Sequence, residues 1–299
     1  MIESSSWGKP ISVMRPRPWR VRNRLLGGDR PLLMAILNIT PDSFFDGGKH
    51  ATTDAALRRC EEMLSEGADI IDVGGESTRP GAESVSQEDE LDRVLPVIAA
   101  ITKRFDCPVS IDTLKSGVAR EALETGASII NDVSAMTFDP RMLEVPQSFG
   151  AAVVLNHMRG APTTMQQKPE YGDVVQEVRD FLFERVRILA SFGLSKDRIA
   201  VDPGIGFGKR LEDNRALIEH LELFDSIGCP VLLGHSRKSF IGKTTGLEKS
   251  DRLQPSVAIA VYAALKGASI LRVHDVKATG EALRMVESIR EGDGGAKTP

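Results

Sequence analysis

The amino-acid sequence predicts a (β/α)8 TIM barrel with a short N-terminal extension. Three observations predict it. Eight short apolar runs alternate with helical stretches from one end of the chain to the other. The runs are apolar throughout rather than at every second position, so both strand faces are buried, as in a parallel sheet. Nearly every run ends in a hydrogen-bonding residue, and the carboxyl ends of barrel strands are where active sites lie. Eight such units in 299 residues favour a closed barrel over an open doubly wound sheet, which stays as the alternative.

Residues 1–30 form a basic leader with Lys9, Arg15, Arg17, Arg20, Arg22, Arg24 and Arg30, and they lack the apolar segment of a secretory signal. The leader reads as solvated chain and then a hairpin from Trp19 to Leu26 that turns at Gly27–Pro31 and lids the barrel bottom; a targeting arm is the alternative. The barrel occupies 31–292, and 293–299 is a flexible Gly-rich tail.

Within the barrel the predicted strands are Leu32–Thr40, Asp69–Gly75, Pro108–Thr113, Ser128–Val133, Ala152–Met158, Ile199–Asp202, Pro230–Gly234 and Ile270–Val273. The intervening helices are Thr53–Gly67, Ser86–Phe105, Lys115–Thr125, Asp139–Phe149, Tyr171–Phe192, Leu211–Ile227, Pro255–Lys266 and Thr279–Arg290, with a short one near Lys238. Ser86 and Asp89 have capping-box spacing. Pro146 is expected to break or bend its helix. Several helices close on a glycine just before the next strand.

Hydrophobic residues are 41% and charged residues 27% of the chain, which suits a soluble globular enzyme. A net charge of −4 supplies no global field for nucleic acid. No apolar run reaches the roughly 18 residues of a membrane span. Cys60, Cys107 and Cys229 are scattered without metal spacing, as in a reduced, cytoplasmic protein.

The strand ends carry Asn38, Asp72, Asp112, Asn131, Asn156 with His157, Asp202, His235 with Ser236, and Arg272 with His274. Any one of them could be a helix cap or an Asx-turn. Recurring around a ring, they converge on one pocket. Asp112, Asn131 and Asp202 suit a flat heterocycle with adjacent N–H donors, because a carboxylate offers such a group two parallel acceptors. Lys238, Arg272 and His274 suit an anion, phosphate above all. The loops NITPDSFFDGGK (Asn38–Lys49) and GGESTRPGAE (Gly74–Glu83) are long and polar, as active-face lids are, with Phe44 and Phe45 as an apolar contact. Neither Gly242-Lys243-Thr244 nor Gly204–Lys209 has P-loop or dinucleotide spacing, and no catalytic triad signature or HExxH is present.

The runs MAILNITPDSFFDGG (34–48), DIIDVGGESTRPGA (69–82), SIDT (110–113), IIND (129–132), HMRGAPTTMQ (157–166), DPGIGFGK (202–209), GHSRKSFIGK (234–243) and LRVHD (271–275) together resemble the dihydropteroate synthases. The likeness runs in the same order from Met34 to the last helix, with small departures at Phe45 and Ala161, and does not cover the leader. It implies condensation of 6-hydroxymethyl-7,8-dihydropterin pyrophosphate with p-aminobenzoate, assisted by Mg2+, in a cytoplasmic homodimer. It further implies pterin ligands Asp112, Asn131, Asp202 and Lys238, and pyrophosphate ligands Asn38, Arg272 and His274, with Asn38 also on Mg2+. The p-aminobenzoate site, where sulfonamides compete, would be lined by Phe44, Thr78, Arg79, Pro80 and Ser239. Its carboxylate would face the helix opening near Ser239. Asp46 would face the reacting carbon, so that Asp46, Arg79, Asn38 and Lys238 form the catalytic set. A corrinoid-linked methyltetrahydrofolate methyltransferase shares the barrel and the pterin carboxylates, but would not be expected to combine the STRPGA, SRKSF and RVHD runs. A pterin-binding protein without catalysis would not need Asn38, Asp46, Arg79, Arg272 and His274.

Overall fold

Trp19–Val21 (β1) and Arg24–Leu26 (β2) pair antiparallel in a computed structural model that describes residues 14–39, 48–77, 84–160, 165 and 169–291. The hairpin turns at Arg22–Asn23, where Arg22 takes a left-handed backbone (φ 50°), and not at Gly27–Pro31 as expected. The glycines at 27 and 28, both with positive φ, instead bend the chain from the hairpin into the barrel. A three-residue strand pair needs only a two-residue turn, so the Gly-Gly-Asp signal serves the connection.

The barrel strands are β3 (Leu32–Asn38), β4 (Ile70–Gly74), β5 (Val109–Asp112), β6 (Ile129–Asp132), β7 (Ala152–Asn156), β8 (Ile199–Asp202), β9 (Leu232–Gly234) and β10 (Ile270–Val273). They pair in parallel in the order β8-β7-β6-β5-β4-β3-β10-β9. The last seam is held by a parallel bridge between Val201 and Val231, where the Val201 N–H donates to the Pro230 carbonyl at 2.9 Å. The sheet is therefore a closed barrel.

Two apolar layers hold it. Inside, Leu32, Met34, Ile70, Ile129, Ala152, Val154, Ala200, Leu232 and Ile270 pack together, and Trp19 and Val21 of the hairpin join them from below. Trp19 is fully buried and its indole N–H donates to the Arg198 carbonyl at 3.0 Å. Arg17, Arg20, Arg24 and Arg30 pair with Asp225, Asp197, Asp106 and Asp69, so these four leader cations hold the hairpin to the barrel bottom. Outside, the other strand face packs on the helices through residues such as Ile71, Val73, Ile111, Val153 and Leu233.

The helices start where the sequence offers an acceptor. Ser86 Oγ takes the Asp89 N–H at 3.0 Å and donates to Asp89 Oδ2 at 2.7 Å, capping Gln87–Arg104. Asp173 accepts from the N–H groups of Val175 and Gln176 and starts Val174–Ser191. Such caps are each worth about 1 kcal/mol. The stretch expected as one helix over Asp139–Phe149 is a 3-10 turn, Pro140–Glu144, followed by a helix, Val145–Phe149, with Pro146 in its first turn. Proline has no N–H to continue a helix but is tolerated at its start. Leu211–Ile227 likewise divides, into Leu211–Glu219 and the 3-10 segment Leu221–Ile227. No helix among the described residues is long and apolar enough to cross a membrane.

Candidate active site

The carboxyl rim is built by register. Asn38 on β3 is paired with Gly74 on β4, Gly74 with Asp112 on β5, and Asp112 with Asn131 on β6. On the far side Asn156 on β7 is level with Asp202 on β8, and Gly234 on β9 with Arg272 on β10. Both rim glycines leave gaps that a side chain would fill. A Cβ on Gly74 would lie 3.5 Å from Asn38 Oδ1 and 3.6 Å from Asp112 Cβ; one on Gly234 would lie 3.3 Å from Asp202 Oδ2 and 3.9 Å from Arg272 Cβ.

One network crosses the barrel mouth. The Arg272 guanidinium donates through Nε to Asp72 Oδ2 at 2.6 Å and through Nη2 to Asp112 Oδ2 at 2.6 Å. Asn131 Nδ2 donates to Asp72 Oδ2 at 3.2 Å. Asp72 is two residues below Gly74 on the same face, so it forms the floor beneath the rim. The second oxygen of Asp112, Oδ1, is buried with no hydrogen-bond partner among the described residues. Burial pushes the Asp112 carboxyl up to about 7 against the pull of Arg272, with Asp72 adding to the rise. Burial works against the Arg272 charge too, but Asp72 and Asp112 outweigh it and its pKa rises.

Asp202 and Lys238 form the second pole. Asp202 Oδ1 accepts the Gly204 N–H at 2.7 Å, and Oδ2 lies 3.4 Å from Asn156 Nδ2. Burial raises the Asp202 pKa, opposed chiefly by Lys238. Burial lowers Lys238 to about 8, opposed by Asp202. The Lys238 ammonium lies 4.2 Å from the centroid of the Phe207 ring and donates to the Ile205 carbonyl, so it is held across the turn that follows β8. Phe207 packs with Leu114, Val133, Met165 and Met158 into an apolar wall beside these polar groups. Gly204 is needed in that turn: its φ is +72° and a Cβ would lie 1.9 Å from the His157 carbonyl oxygen.

Lys209 closes the same turn from beneath. Its ammonium is 2.8 Å from His157 Nδ1 and donates to the carbonyls of His157 and Phe207, each at 3.1 Å. Burial, then the neighbouring Lys209 charge, drives His157 down to about 2, so the ring is the neutral acceptor. Across the mouth, Ser236 Oγ accepts the His274 N–H at 3.2 Å and meets His274 Nδ1 at 3.0 Å. Arg237, with φ 55°, forms a bidentate pair with Asp275 and steadies this corner.

The structure thus brings Asp112, Asn131, Asp202, Lys238, Arg272, His274 and Asn38 to one barrel mouth. Ser239 is the exposed first residue of the helix Ser239–Thr245, directly after Lys238. Phe44, Asp46, Thr78, Arg79 and Pro80 lie outside the described residues. Among the described residues no group of three His, Cys, Asp or Glu side chains could by itself hold a metal ion. Sequence reading placed Asp72 and Ser236 among the strand ends that converge on the pocket but gave neither a role of its own, and it gave none to Lys209. A period-two reading back from Gly74 would have placed Asp72 on the pocket face.

Comparison with known proteins agrees with this geometry. The family model described as pterin binding enzyme matches residues 34–274. A dihydropteroate synthase of Escherichia coli K12 is 48% identical over 258 residues, covering 86% of this chain and 91% of its own. One from Synechocystis is 43% identical over 281 residues, 93% of this chain and 97% of its own. Among solved structures, the Yersinia pestis dihydropteroate synthase with a sulfonamide drug superposes with a TM-score of 0.86 at 44% identity, covering 92% of this chain and 99% of that one. The Xanthomonas albilineans enzyme with 4-aminobenzoic acid gives 0.86 at 44% identity over 95% and 100%. The Burkholderia cenocepacia enzyme with 7,8-dihydropteroate gives 0.84 at 41% over 94% and 99%.

Proposed function

The chain belongs to the pterin-binding enzymes as a dihydropteroate synthase, and on that premise we propose how its own side chains share the reaction. The activity is a transfer: 6-hydroxymethyl-7,8-dihydropterin pyrophosphate and p-aminobenzoate give 7,8-dihydropteroate and pyrophosphate in folate biosynthesis, a step that sulfonamides target.

The observation that supports the pterin assignment most is the half-used Asp112 carboxylate, one oxygen on Arg272 and the other buried without a partner among the described residues. Such an oxygen is costly unless a ligand donor meets it. Asp112 and Asp202, on opposite sides of the mouth, accept the pterin N–H groups. Asn131 has its amide nitrogen turned to Asp72 and offers its carbonyl oxygen. Lys238 supplies a donor beside Phe207, whose ring supports a flat heterocycle.

Arg272 and His274, the latter oriented by Ser236, hold the pyrophosphate. Mg2+ fits Asn38, a hard oxygen donor at the open rim beside Gly74, since this ion prefers one or two protein oxygens with water and phosphate oxygens for the rest. When bound it neutralises charge on the leaving group. The C–O bond from the pterin methylene to pyrophosphate breaks as Arg272 stabilises the departing charge. Asp46 faces the electron-poor methylene. The aniline nitrogen of p-aminobenzoate, held by Phe44, Thr78, Arg79, Pro80 and Ser239, forms the new C–N bond and loses its proton to pyrophosphate or solvent. Excluding water protects that carbon from hydrolysis.

A homodimer is supported by the helix Leu253–Leu265 (LQPSVAIAVYAAL). It has no charged residue, yet Ser256, Ala260 and Ala263 are its buried positions, which leaves apolar side chains such as Ile259 and Val261 half-covered. Free Cys60, Cys107 and Cys229 suit a reducing cytoplasm. The decisive experiment is pyrophosphate release from the two substrates with Mg2+. No release, despite tight pterin binding, would make the chain a pterin-binding protein and remove the catalytic reading.

A further inference from the structure

The parallel pairing of β9 and β10 does not stop where the strands do. Its last backbone rung joins Gly234 to Arg272. Past that rung, side chains carry the same register. Ser236 Oγ meets His274 Nδ1 at 3.0 Å, and Arg237 donates through Nε to Asp275 Oδ2 at 2.9 Å and through Nη2 to Oδ1 at 2.5 Å. Each of these pairs is 38 positions apart in the chain, as Gly234 and Arg272 are. The reaction as described makes no use of Arg237 or Asp275.

Both residues are committed to this contact. Asp275 directly precedes the helix Val276–Glu291, where an aspartate ordinarily caps the first N–H groups; here both of its oxygens meet the Arg237 guanidinium. Arg237 has a left-handed backbone, φ 55°, which costs an L-residue energy and has to be held. The start of the helix Leu253–Leu265 helps to hold it. Ser256 Oγ accepts the Arg237 N–H at 3.0 Å, and Arg252 Nη1 donates to the carbonyls of Arg237 and Lys238 at 3.3 and 3.4 Å. The fully buried His235 ring meets the Ser256 carbonyl through Nε2 at 2.9 Å.

We infer that Arg237 and Asp275 are positioning residues that fix the separation of the pterin and pyrophosphate poles. Arg237 stands between Ser236, which orients His274, and Lys238; Asp275 directly follows His274. One charged link of two parallel bonds therefore sets how far Lys238 lies from His274. Without it, the neutral contacts between Ser236 and His274 are left to hold the two strand ends together. The strained backbone at 237 can then relax and carry Lys238 with it. A ligand that spans both poles depends on their spacing, and a ligand that uses one pole does not. The inference rests on the reading that Lys238 serves the pterin and His274 the pyrophosphate.

The test is three calorimetric titrations of the full-length enzyme with Mg2+ present. The probes are 6-hydroxymethyl-7,8-dihydropterin, inorganic pyrophosphate, and the pterin pyrophosphate that joins them. In Asp275→Ala we expect the affinity for the joined ligand to fall about tenfold, because misaligned poles lose the advantage of binding one linked molecule. Each separate probe should stay within about twofold, since each pole keeps its own contacts. Arg237→Lys keeps the charge but not the paired geometry, and should give the same pattern if Asp275→Ala does not fold. Unchanged affinity for the joined ligand overturns the inference. An equal loss for all three probes also overturns it, because the ion pair would then support the whole mouth rather than the spacing. Lys238→Met and His274→Ala, run in parallel, test the underlying reading. If the first leaves the pterin affinity unchanged, or the second the pyrophosphate affinity, the pole assignment fails. If both affinities fall while Asp275→Ala shows no selective loss, the positioning role alone fails.

Discussion

Arg272 Nη2 lies 2.6 Å from Asp112 Oδ2, while Oδ1 of the same carboxylate is buried and unmet among the described residues. One oxygen is committed to the protein and the other is kept for a ligand. Asp112→Asn preserves an acceptor for Arg272 but offers a pterin donor an amide in place of a charge. Truncating a buried, hydrogen-bonded charge pair costs about 2–5 kcal/mol of affinity. Calorimetry with a pterin ligand should show that loss in Asp112→Asn and also in Asp202→Ala. Wild-type affinity in both would remove the ring assignment.

The raised pKa of Asp112 has a thermodynamic sign. Burial holds the folded pKa at about 7, above the ordinary aspartate value of 3.8. Between those values the unfolded chain has released its proton and the folded one has not, so stability falls as pH rises. The penalty is absent below about 4 and complete above about 7. Asp112→Asn should therefore gain stability relative to the parent as pH rises from 4 to 8, in urea titrations at each pH. A difference that stays flat over this window would mean that Arg272 offsets the burial of the carboxylate completely.

Asp46→Ala should slow turnover more than it weakens pterin binding, because the role proposed for Asp46 is to face charge that exists only as the C–O bond opens. Steady-state kcat beside a calorimetric Kd separates the two effects. Normal kcat in this variant excludes Asp46 from the chemistry.

Lys209→Met should destabilise the protein by about 2–4 kcal/mol, since it strands the carbonyls of His157 and Phe207 and leaves the His157 ring without its 2.8 Å partner. Pterin affinity should fall with it, because Asp202 and Phe207 sit on the same turn. Denaturant unfolding reads the first effect and calorimetry the second. If stability falls but pterin affinity stays intact, the turn does not depend on Lys209 for its shape.

Trp19→Ala should cost about 3–5 kcal/mol through loss of a fully buried indole. It should leave kcat and both KM values near those of the parent at a temperature where the variant is folded. Trp19 plugs the end of the barrel opposite the catalytic mouth, so activity lost from a folded variant would show coupling along the barrel axis.

Much of this was legible in the chain. Strands β8 and β10 begin and end where the apolar runs Ile199–Asp202 and Ile270–Val273 do, because a charged or polar residue stops each run. Asp112, Asn131 and Asp202 were readable as a ring because the strands of a parallel barrel all point the same way. The role of Asp72 was not readable. Its place on the pocket face follows from the strand period, but its partner Arg272 is 200 positions away. The link between Lys209 and His157 spans 52 positions and hides in a glycine-rich turn where lysine suggests phosphate first. The break at Glu219 has no proline or glycine to announce it.

The plugged bottom also bears on how the molecule is made. The Arg17 N–H donates to Ser269 Oγ at 2.9 Å, across 252 positions, and the Arg17 side chain pairs with Asp225. Trp19 belongs to one buried cluster with Leu232 and Ile270, which lie on the last two strands. On a ribosome adding about 5–20 residues per second, this segment waits roughly ten seconds to a minute for its docking surface. Through that interval Trp19 and Val21 have no core to enter. The cationic side chains around them, destined for Asp225, Asp197, Asp106 and Asp69, keep the nascent segment hydrated until the final strand arrives and the barrel can be corked.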